Sequence, residues 1–148
     1  MKETHPPDLK SAITRLGNEL HNEGHRLTRQ RTLIAETFLM KKDHVRVRNL
    51  HKAVRKRSQS VSLSTVYHTM TILEKLGMAK RISGLRNESI FDSNVEPHVN
   101  MVCRICGRVE DIHIGMHLFS KLTAAANGNG YRDPAVEITV RGECNLHN

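Results

Sequence analysis

The residues with the clearest chemistry are three cysteines and a histidine in the last third of the sequence. Cys103 and Cys106 are separated by two residues, and Gly107 follows them directly. Two thiolates at this spacing can bind one metal ion at about 2.3 Å, and the glycine helps the chain to turn. Cys144 and His147 repeat the same spacing further on. Together the four side chains predict a closed tetrahedral site for structural Zn²⁺.

Two alternatives stay open for these residues. In the first, His147 is a frayed, exposed residue, and Cys144 joins the other cysteines with water or another histidine. In the second, Cys103 and Cys106 are the reactive pair of a thiol oxidoreductase, but such a pair normally opens a helix in a βαβ unit. Here it lies between two predicted strands. An odd number of cysteines also argues against a disulfide framework.

Charge is distributed unevenly along the chain. The first 92 residues contain 18 lysines and arginines against 9 acidic residues, whereas residues 93–148 contain 5 against 6. This asymmetry predicts one part that binds a polyanion and another with a different role. Aromatic residues make up 3% and there is no tryptophan, which disfavours a single-stranded nucleic-acid or RNA-binding module. Since no apolar run or signal sequence is evident, we expect a cytoplasmic protein without a membrane partner.

The basic part has the periodicity of a small helical domain. Leucine and isoleucine recur at spacings of three and four residues, which indicates helices with one buried face. Thr28 and Ser62 are predicted N-caps of the second and fourth helices. The helices are predicted over 8–23, 28–41, 46–57 and 63–76. Two short strands over 79–83 and 88–91, joined by a turn at 84–87, complete a winged helix-turn-helix domain over 1–92.

The remaining sequence predicts a smaller α/β domain after a hinge. The hinge is expected over 93–97, where Asn94 and Pro97 interrupt regular structure. In the domain over 98–148, strands are predicted at 98–103, 108–114 and 135–141, a helix at 116–126 and a loop at 127–130. The fold class is therefore α+β, with an amino-terminal winged-helix domain and a small α/β carboxy-terminal domain.

The order and spacing of several short segments resemble the ferric uptake regulator family, most closely its peroxide-responsive branch. The resemblance extends from about residue 24 to residue 147. It rests on the segments 26–31, 62–67, 73–78, 91–92, 97–98 and 103–111. It implies a winged-helix DNA-binding domain over 1–92 and a small α/β dimerisation domain over 98–148. It further implies a homodimeric, metal-dependent repressor of metal-uptake or peroxide-stress genes that binds an inverted repeat in double-stranded DNA.

The resemblance also implies a regulatory metal between the domains. The expected ion is Fe²⁺ or Mn²⁺, with Zn²⁺ or Ni²⁺ as alternatives, and a mixed nitrogen and oxygen ligand set suits it. The matching positions are His44, Asp92, His98, Asn100 and Asp111. Asn100 stands where the family usually has histidine, and the nearby potential substitutes are Glu96, His113 and His117. Each of these residues could instead be an ordinary surface or strand-end residue.

A metal held in this way would act as a clamp. His44 belongs to the basic domain, Asp92 borders the expected hinge, and His98 and Asp111 belong to the second domain, so one ion would fix the angle between the domains. With Fe²⁺ bound, we expect peroxide to oxidise His44 or His98 and to release DNA.

The DNA contacts are expected on and near the fourth helix. Ser64, Thr65 and His68 lie on its polar face, which suits entry into a major groove. Tyr67 matches the family's base-contacting tyrosine, whose ring can meet a thymine methyl. His68 stands where arginine is common, and His25 stands where some members have a minor-groove lysine. The alternatives are a solvated helix face and a Tyr67 ring that packs in the core.

Overall fold

The computed structural model describes residues 8–41, 43–83 and 88–147. The predicted wing turn at 84–87 and the first seven residues lie outside this part of the chain. The described chain separates into two compact units. The amino-terminal unit ends at Val95 and the carboxy-terminal unit begins at Glu96. The hinge over 93–97 stays a prediction.

Four helices form most of the amino-terminal unit, and they are α1 (Leu9–Asn22), α2 (Arg29–Leu39), α3 (Val47–Arg55) and α4 (Leu63–Lys75). Both predicted caps are confirmed. The Thr28 hydroxyl accepts a hydrogen bond from the Arg31 N–H, and the Ser62 hydroxyl accepts one from the Thr65 N–H. Because the apolar residues recur at helical spacing, one face of each helix enters a common core around the fully buried Phe38.

A small antiparallel sheet completes this unit, in the order β1 (His44–Arg46), β3 (Ser89–Asp92) and β2 (Lys80–Ser83). The sequence patterns predicted β2 and β3 but not β1, which has only three residues. Asp92 was expected at the border between the first domain and the hinge. Asp92 is the last residue of β3, where it lies opposite His44 and is buried.

The carboxy-terminal unit has a second three-stranded sheet, in the order β5 (Val109–Ile112), β4 (Val99–Cys103) and β6 (Ile138–Gly142). β4 pairs with β5 antiparallel and with β6 parallel. The crossover to β6 contains α5 (His117–Gly128), which fits the long connection that parallel strands need. The loop predicted at 127–130 is wrong at its first two residues, because α5 continues to Gly128. β6 begins at Ile138 rather than at residue 135.

None of the helices in the described residues is long and apolar enough to cross a membrane.

Candidate metal centres and nucleic-acid interface

The parallel pairing of β4 with β6 assembles the cysteine-rich site. Cys103 ends β4, and its partner in the register is Gly142 at the end of β6. The Arg104 N–H donates to the Gly142 carbonyl at 2.7 Å and continues this pairing by one residue. Cys144 follows two residues after Gly142, so it reaches the same end of the sheet as the Cys103–Cys106 turn. Strand pairing thereby brings together Cys103 and Cys144, which are about forty residues apart in the sequence.

A tight turn presents the first two cysteines. Gly107 has a φ of 73°, a conformation that side-chain-bearing residues rarely adopt, and its N–H donates to the Cys103 carbonyl at 3.0 Å. The Cys103 sulfur accepts the N–H groups of Ile105 and Cys144, each at 3.4 Å. This turn lies between two strands, not at the start of a helix, as the metal-site interpretation expects.

All four predicted zinc ligands come together in this unit. One ligand atom from each of Cys103, Cys106, Cys144 and His147 lies within 4.8 Å of the others. The Cys106 and Cys144 sulfur atoms are 3.8 Å apart. His147 is placed by a short 3-10 helix, Asn145–His147, whose last N–H donates to the Cys144 carbonyl. The cluster has the donor set and the closeness of a tetrahedral Zn²⁺ site.

The pKa values of Cys103 and Cys144 are consistent with a bound cation at the cysteine cluster. The backbone N–H of Cys106, followed by those of Cys144 and Ile105, lowers the pKa of Cys103 to about 6. The pKa of Cys144 is raised, because burial and the neighbouring sulfur atoms outweigh the N–H of Leu146 that acts in the opposite direction. Ionising both of two adjacent thiols is therefore unfavourable, because their negative charges repel each other. A bound metal ion offsets this repulsion, since its cysteine ligands are thiolates.

A histidine and a carboxylate form a second pair in the same unit. His98 is buried, and its Nδ1 donates to the Glu96 carbonyl at 2.8 Å, since a carbonyl can only accept. Its Nε2 lies 3.4 Å from Oδ1 of Asp111. In the neutral ring, Nε2 then carries a lone pair that faces a carboxylate. A proton or a metal cation between the two atoms would stabilise this arrangement.

Asn100 lies on the same face of the sheet as this pair. It is two residues after His98 and directly opposite Asp111 in the β4–β5 register, so the three side chains share one face. The substitutes proposed for it fare differently. Glu96, His113 and His117 are exposed, and none belongs to a group of potential metal ligands within the described residues.

The amino-terminal unit has its own histidine and carboxylate pair. His44 in β1 and Asp92 in β3 are opposite each other in the register, and their Nε2 and Oδ2 atoms are 3.8 Å apart. Asp92 is also fixed by the Asn94 N–H, which donates to Oδ1 at 2.8 Å. On the other side of the ring, Asp43 Oδ1 lies 3.5 Å from Nδ1 of His44. Each unit thus presents one imidazole beside one carboxylate, with His98 buried and His44 partly buried.

The predicted DNA contacts at the start of α4 are only partly free for bases. Ser64 is exposed, while Thr65 and Tyr67 are half-buried. The Ser64 and Thr65 hydroxyls both hydrogen-bond with the cap residue Ser62, at 2.9 and 2.8 Å. Tyr67 packs in part against the hydrophobic core, so its two interpretations are compatible rather than exclusive.

His25 and His68, the two histidines that are predicted to bind DNA, pack against each other. The rings of His25 and His68 are 4.8 Å apart between centroids and meet edge to face. Arg31 Nη2 donates to Nδ1 of His68 at 3.1 Å, and Glu23 lies 3.7 Å from its Nε2. The sequence patterns gave no sign of this cluster, because Glu23 belongs to no recognised motif.

A helical unit with an antiparallel wing, joined to a small cysteine-rich α/β unit, defines a metal-dependent winged-helix regulator of transcription. Residues 22–139 match the model of the Ferric uptake regulator family. The chain belongs to this family, which consists of transcriptional regulators rather than enzymes.

Curated and solved relatives agree with this assignment. The chain is 26% identical over 138 residues to the peroxide operon regulator of Bacillus subtilis, covering 93% of this chain and 91% of that protein. It is 30% identical over 123 residues to the zinc uptake regulation protein of Mycobacterium tuberculosis, covering 82% and 93%. Its fold is similar to that of the Helicobacter pylori ferric uptake regulator, with a TM-score of 0.79, 15% identity and coverage of 97% and 95%.

Proposed function

We propose that the protein is a dimeric repressor whose affinity for an inverted-repeat operator depends on one regulatory Fe²⁺ or Mn²⁺ ion per chain. The observation that carries this proposal is the repeated His–Asp pair: His44 with Asp92 in one unit and His98 with Asp111 in the other. In this proposal the two pairs bind the same ion, with the Asn100 amide oxygen as a further ligand.

The chemistry of the two pairs supports this ion. Imidazole nitrogens with carboxylate oxygens suit Fe²⁺ and Mn²⁺ better than they suit soft metals. The hydrogen bond from His98 to the Glu96 carbonyl fixes the ring and its tautomer, which is the usual support for a metal-binding histidine. The closed set of Cys103, Cys106, Cys144 and His147 is proposed to hold structural Zn²⁺ independently.

The proposed mechanism is a clamp. An ion that takes ligands from both units favours the arrangement that it binds best. In a dimer, that arrangement sets the distance between the two α4 helices, which must match half-sites one helical turn or a multiple apart. Excess lysine and arginine in the amino-terminal unit supplies the salt-dependent phosphate affinity.

The surface of the carboxy-terminal unit supports the homodimer. Several large apolar side chains are exposed there, more than the two, Leu27 and Met40, that are exposed among the described residues of the helical unit. They are Ile112, Ile114, Met116, Leu118, Leu122 and Val140. An apolar surface of this kind is typical of a protein interface.

The direct test compares metal-loaded and chelated protein on DNA at a fixed ionic strength. We expect metal-loaded protein to bind a duplex with an inverted repeat more tightly than a scrambled duplex, and chelated protein to lose most of that preference. The chelator must be weak enough to leave the cysteine-bound zinc in place, which elemental analysis checks. Equal affinity in both samples would refute the clamp.

Peroxide and Zn²⁺ are the two candidate signals for this site. Mass spectrometry distinguishes them by detecting an oxidised histidine. If the protein senses peroxide, a carbon of the His44 or His98 ring would take one oxygen from peroxide when Fe²⁺ is bound, and the other peroxide oxygen would leave as water. The peptide then gains one oxygen. The similarity to the M. tuberculosis zinc uptake regulation protein favours a zinc sensor as the second candidate. That candidate requires Zn²⁺ to restore operator binding at lower free concentration than Fe²⁺ or Mn²⁺.

A further inference from the structure

Glu23, His25 and His68 form a third group of metal-ligand side chains, separate from the cysteine site and from both His–Asp pairs. All three belong to the amino-terminal unit, and one ligand atom from each lies within 4.8 Å of the others. Glu23 and His25 are exposed and His68 is half-buried. The group therefore lies at the surface, on the side of α4 that bears the predicted DNA contacts.

The end of α1 builds this group. Gly24 has a φ of 75°, and the His25 N–H donates to the Leu20 carbonyl at 2.7 Å, so the chain turns sharply after the helix. Lys75 forms ion pairs with Glu19 and Glu23 and thereby holds the end of α1 beside α4. Two ligands from this turn and one from α4 are thus held together by the fold.

Arg31 determines which ring nitrogen of His68 carries the proton. A guanidinium can only donate, so Nδ1 of His68 accepts and, in the neutral ring, Nε2 carries the proton towards Glu23. Burial lowers the pKa of His68, and the nearby charges of Arg31 and His25 lower it further, although Glu23 opposes them. The ring is therefore biased to its neutral form, which is the form that binds metals.

We propose that Glu23, His25 and His68 bind a divalent transition-metal ion, with Zn²⁺ as the best-suited common ion. Two imidazoles and one carboxylate form a known Zn²⁺ ligand set that leaves a position for water. When the ion binds Nε2 of His68, the ring proton moves to Nδ1. Arg31 Nη2 can then no longer donate to Nδ1, while Arg31 Nη1 still donates to the Arg26 carbonyl at 2.9 Å.

The consequence for DNA rests on the proposed function. In the ion-free state the group contributes the negative charge of Glu23 to the surface around α4. The bound ion adds two positive charges, and the freed Nη2 group of Arg31 becomes available to a phosphate while Nη1 stays bonded to the Arg26 carbonyl. More cationic contacts make DNA binding tighter and more salt-dependent. Zn²⁺ at this group would therefore strengthen DNA binding in addition to the clamp.

The first experiment counts Zn²⁺ ions by equilibrium dialysis and elemental analysis, without DNA. The full chain is compared with His25→Gln/His68→Gln and with the control His21→Gln, which changes an exposed histidine of α1 outside the group. We expect the double variant to bind one ion fewer than the wild type and the control to bind the same number. Equal counts in all three proteins would overturn the site, whatever the protein does on DNA.

Arg31→Met provides an independent check that does not depend on losing a ligand. Removing the guanidinium removes the donor that keeps the ring proton on Nε2, as well as a nearby positive charge, so Zn²⁺ affinity at this group should rise severalfold. An affinity that fell, or stayed equal, would contradict the proposed role of Arg31. Circular dichroism verifies that each variant retains its helices.

The second experiment measures duplex binding against salt concentration with and without Zn²⁺. At saturating Zn²⁺, we expect the slope of log affinity against log salt to become steeper by about one phosphate contact, roughly 0.9, in the wild type but not in the double variant. The same slope in both proteins would overturn the link to DNA. By contrast, a metal-loaded wild-type protein without preference for the inverted repeat would refute the clamp. The number of Zn²⁺ ions counted in the first experiment would not be affected.

Discussion

The cysteine cluster and the two His–Asp pairs differ in where their ligands come from. Cys103, Cys106, Cys144 and His147 all belong to one unit, and the β4–β6 pairing brings them together. The His–Asp pairs are divided, with one pair in each unit. A site made by one unit can only stabilise that unit, whereas ligands divided between two units can couple metal binding to their arrangement. We therefore expect zinc to be a structural component and the regulatory ion to be exchangeable.

The largest effect should follow from breaking the cysteine cluster. Cys103→Ser removes the most buried thiol and its lowered pKa, so Zn²⁺ loses a thiolate ligand. Structural Zn²⁺ contributes about 10–16 kcal/mol in zinc-finger peptides, and we expect the variant to lose several kcal/mol of unfolding free energy. Elemental analysis and thermal unfolding measure the loss. The exposed neighbour Arg104→Ala is the control, and an equally small effect of both variants would contradict a structural role for zinc.

A smaller and more selective effect is expected from breaking one His–Asp pair. Asp92→Asn keeps the size of the side chain but removes the charge beside His44. Metal affinity should fall about 10–100-fold, the range typical of changes around metal sites, while thermal stability of the zinc-loaded carboxy-terminal unit is unchanged. Metal titration of operator binding measures this shift.

Asp43→Asn is the matched control for this variant, because Asp43 also lies near His44 but its side chain is 82% exposed. It should titrate as the wild type does. If both variants shifted the metal titration equally, general electrostatics would explain the effect better than ligation by Asp92.

The helices of the amino-terminal unit could be predicted because their signals are local. Thr28 and Ser62 are capping residues at the start of segments whose apolar residues recur at helical spacing, and both make the predicted bond. Strand β1 could not be predicted. Three residues give no detectable alternation, and His44–Arg46 is a strand only because β3 pairs with it. This same pairing, not a hinge, places Asp92 beside His44.

The sites show the same distinction. The spacing of Cys103 and Cys106, repeated by Cys144 and His147, predicted all four ligands of the cysteine cluster. The parallel β4–β6 pairing that brings its two halves together depends on the whole sheet and could not be predicted from local patterns. The group around His68 was invisible, because its glutamate lies forty-five residues away in the sequence and enters through the turn at Gly24. Local patterns identify ligand types, and tertiary structure decides which ligands meet.

The position of Asn100 allows the divided site to be strengthened. Imidazole is a better ligand for first-row transition metals than an amide oxygen, so Asn100→His should raise the affinity for the regulatory ion by about tenfold. Metal titration of operator binding measures the change. Asn100→Ala should lower the affinity if the amide is a ligand. Unchanged affinity in both variants would show that position 100 does not face the ion.

The smallest effect tests the turn that holds the cysteine cluster. Gly107→Ala forces an L-residue into a φ of 73°, which costs about 1–2 kcal/mol. Gly107→Asn should cost less, because asparagine adopts this conformation more readily. Gly115→Ala is the control, since it has no positive φ and a Cβ there meets no atom within 4 Å. Denaturant unfolding of the zinc-loaded protein should rank the losses as alanine at 107, asparagine at 107 and then the control. An equal loss at 107 and 115 would show that the turn does not limit the stability of the cysteine site.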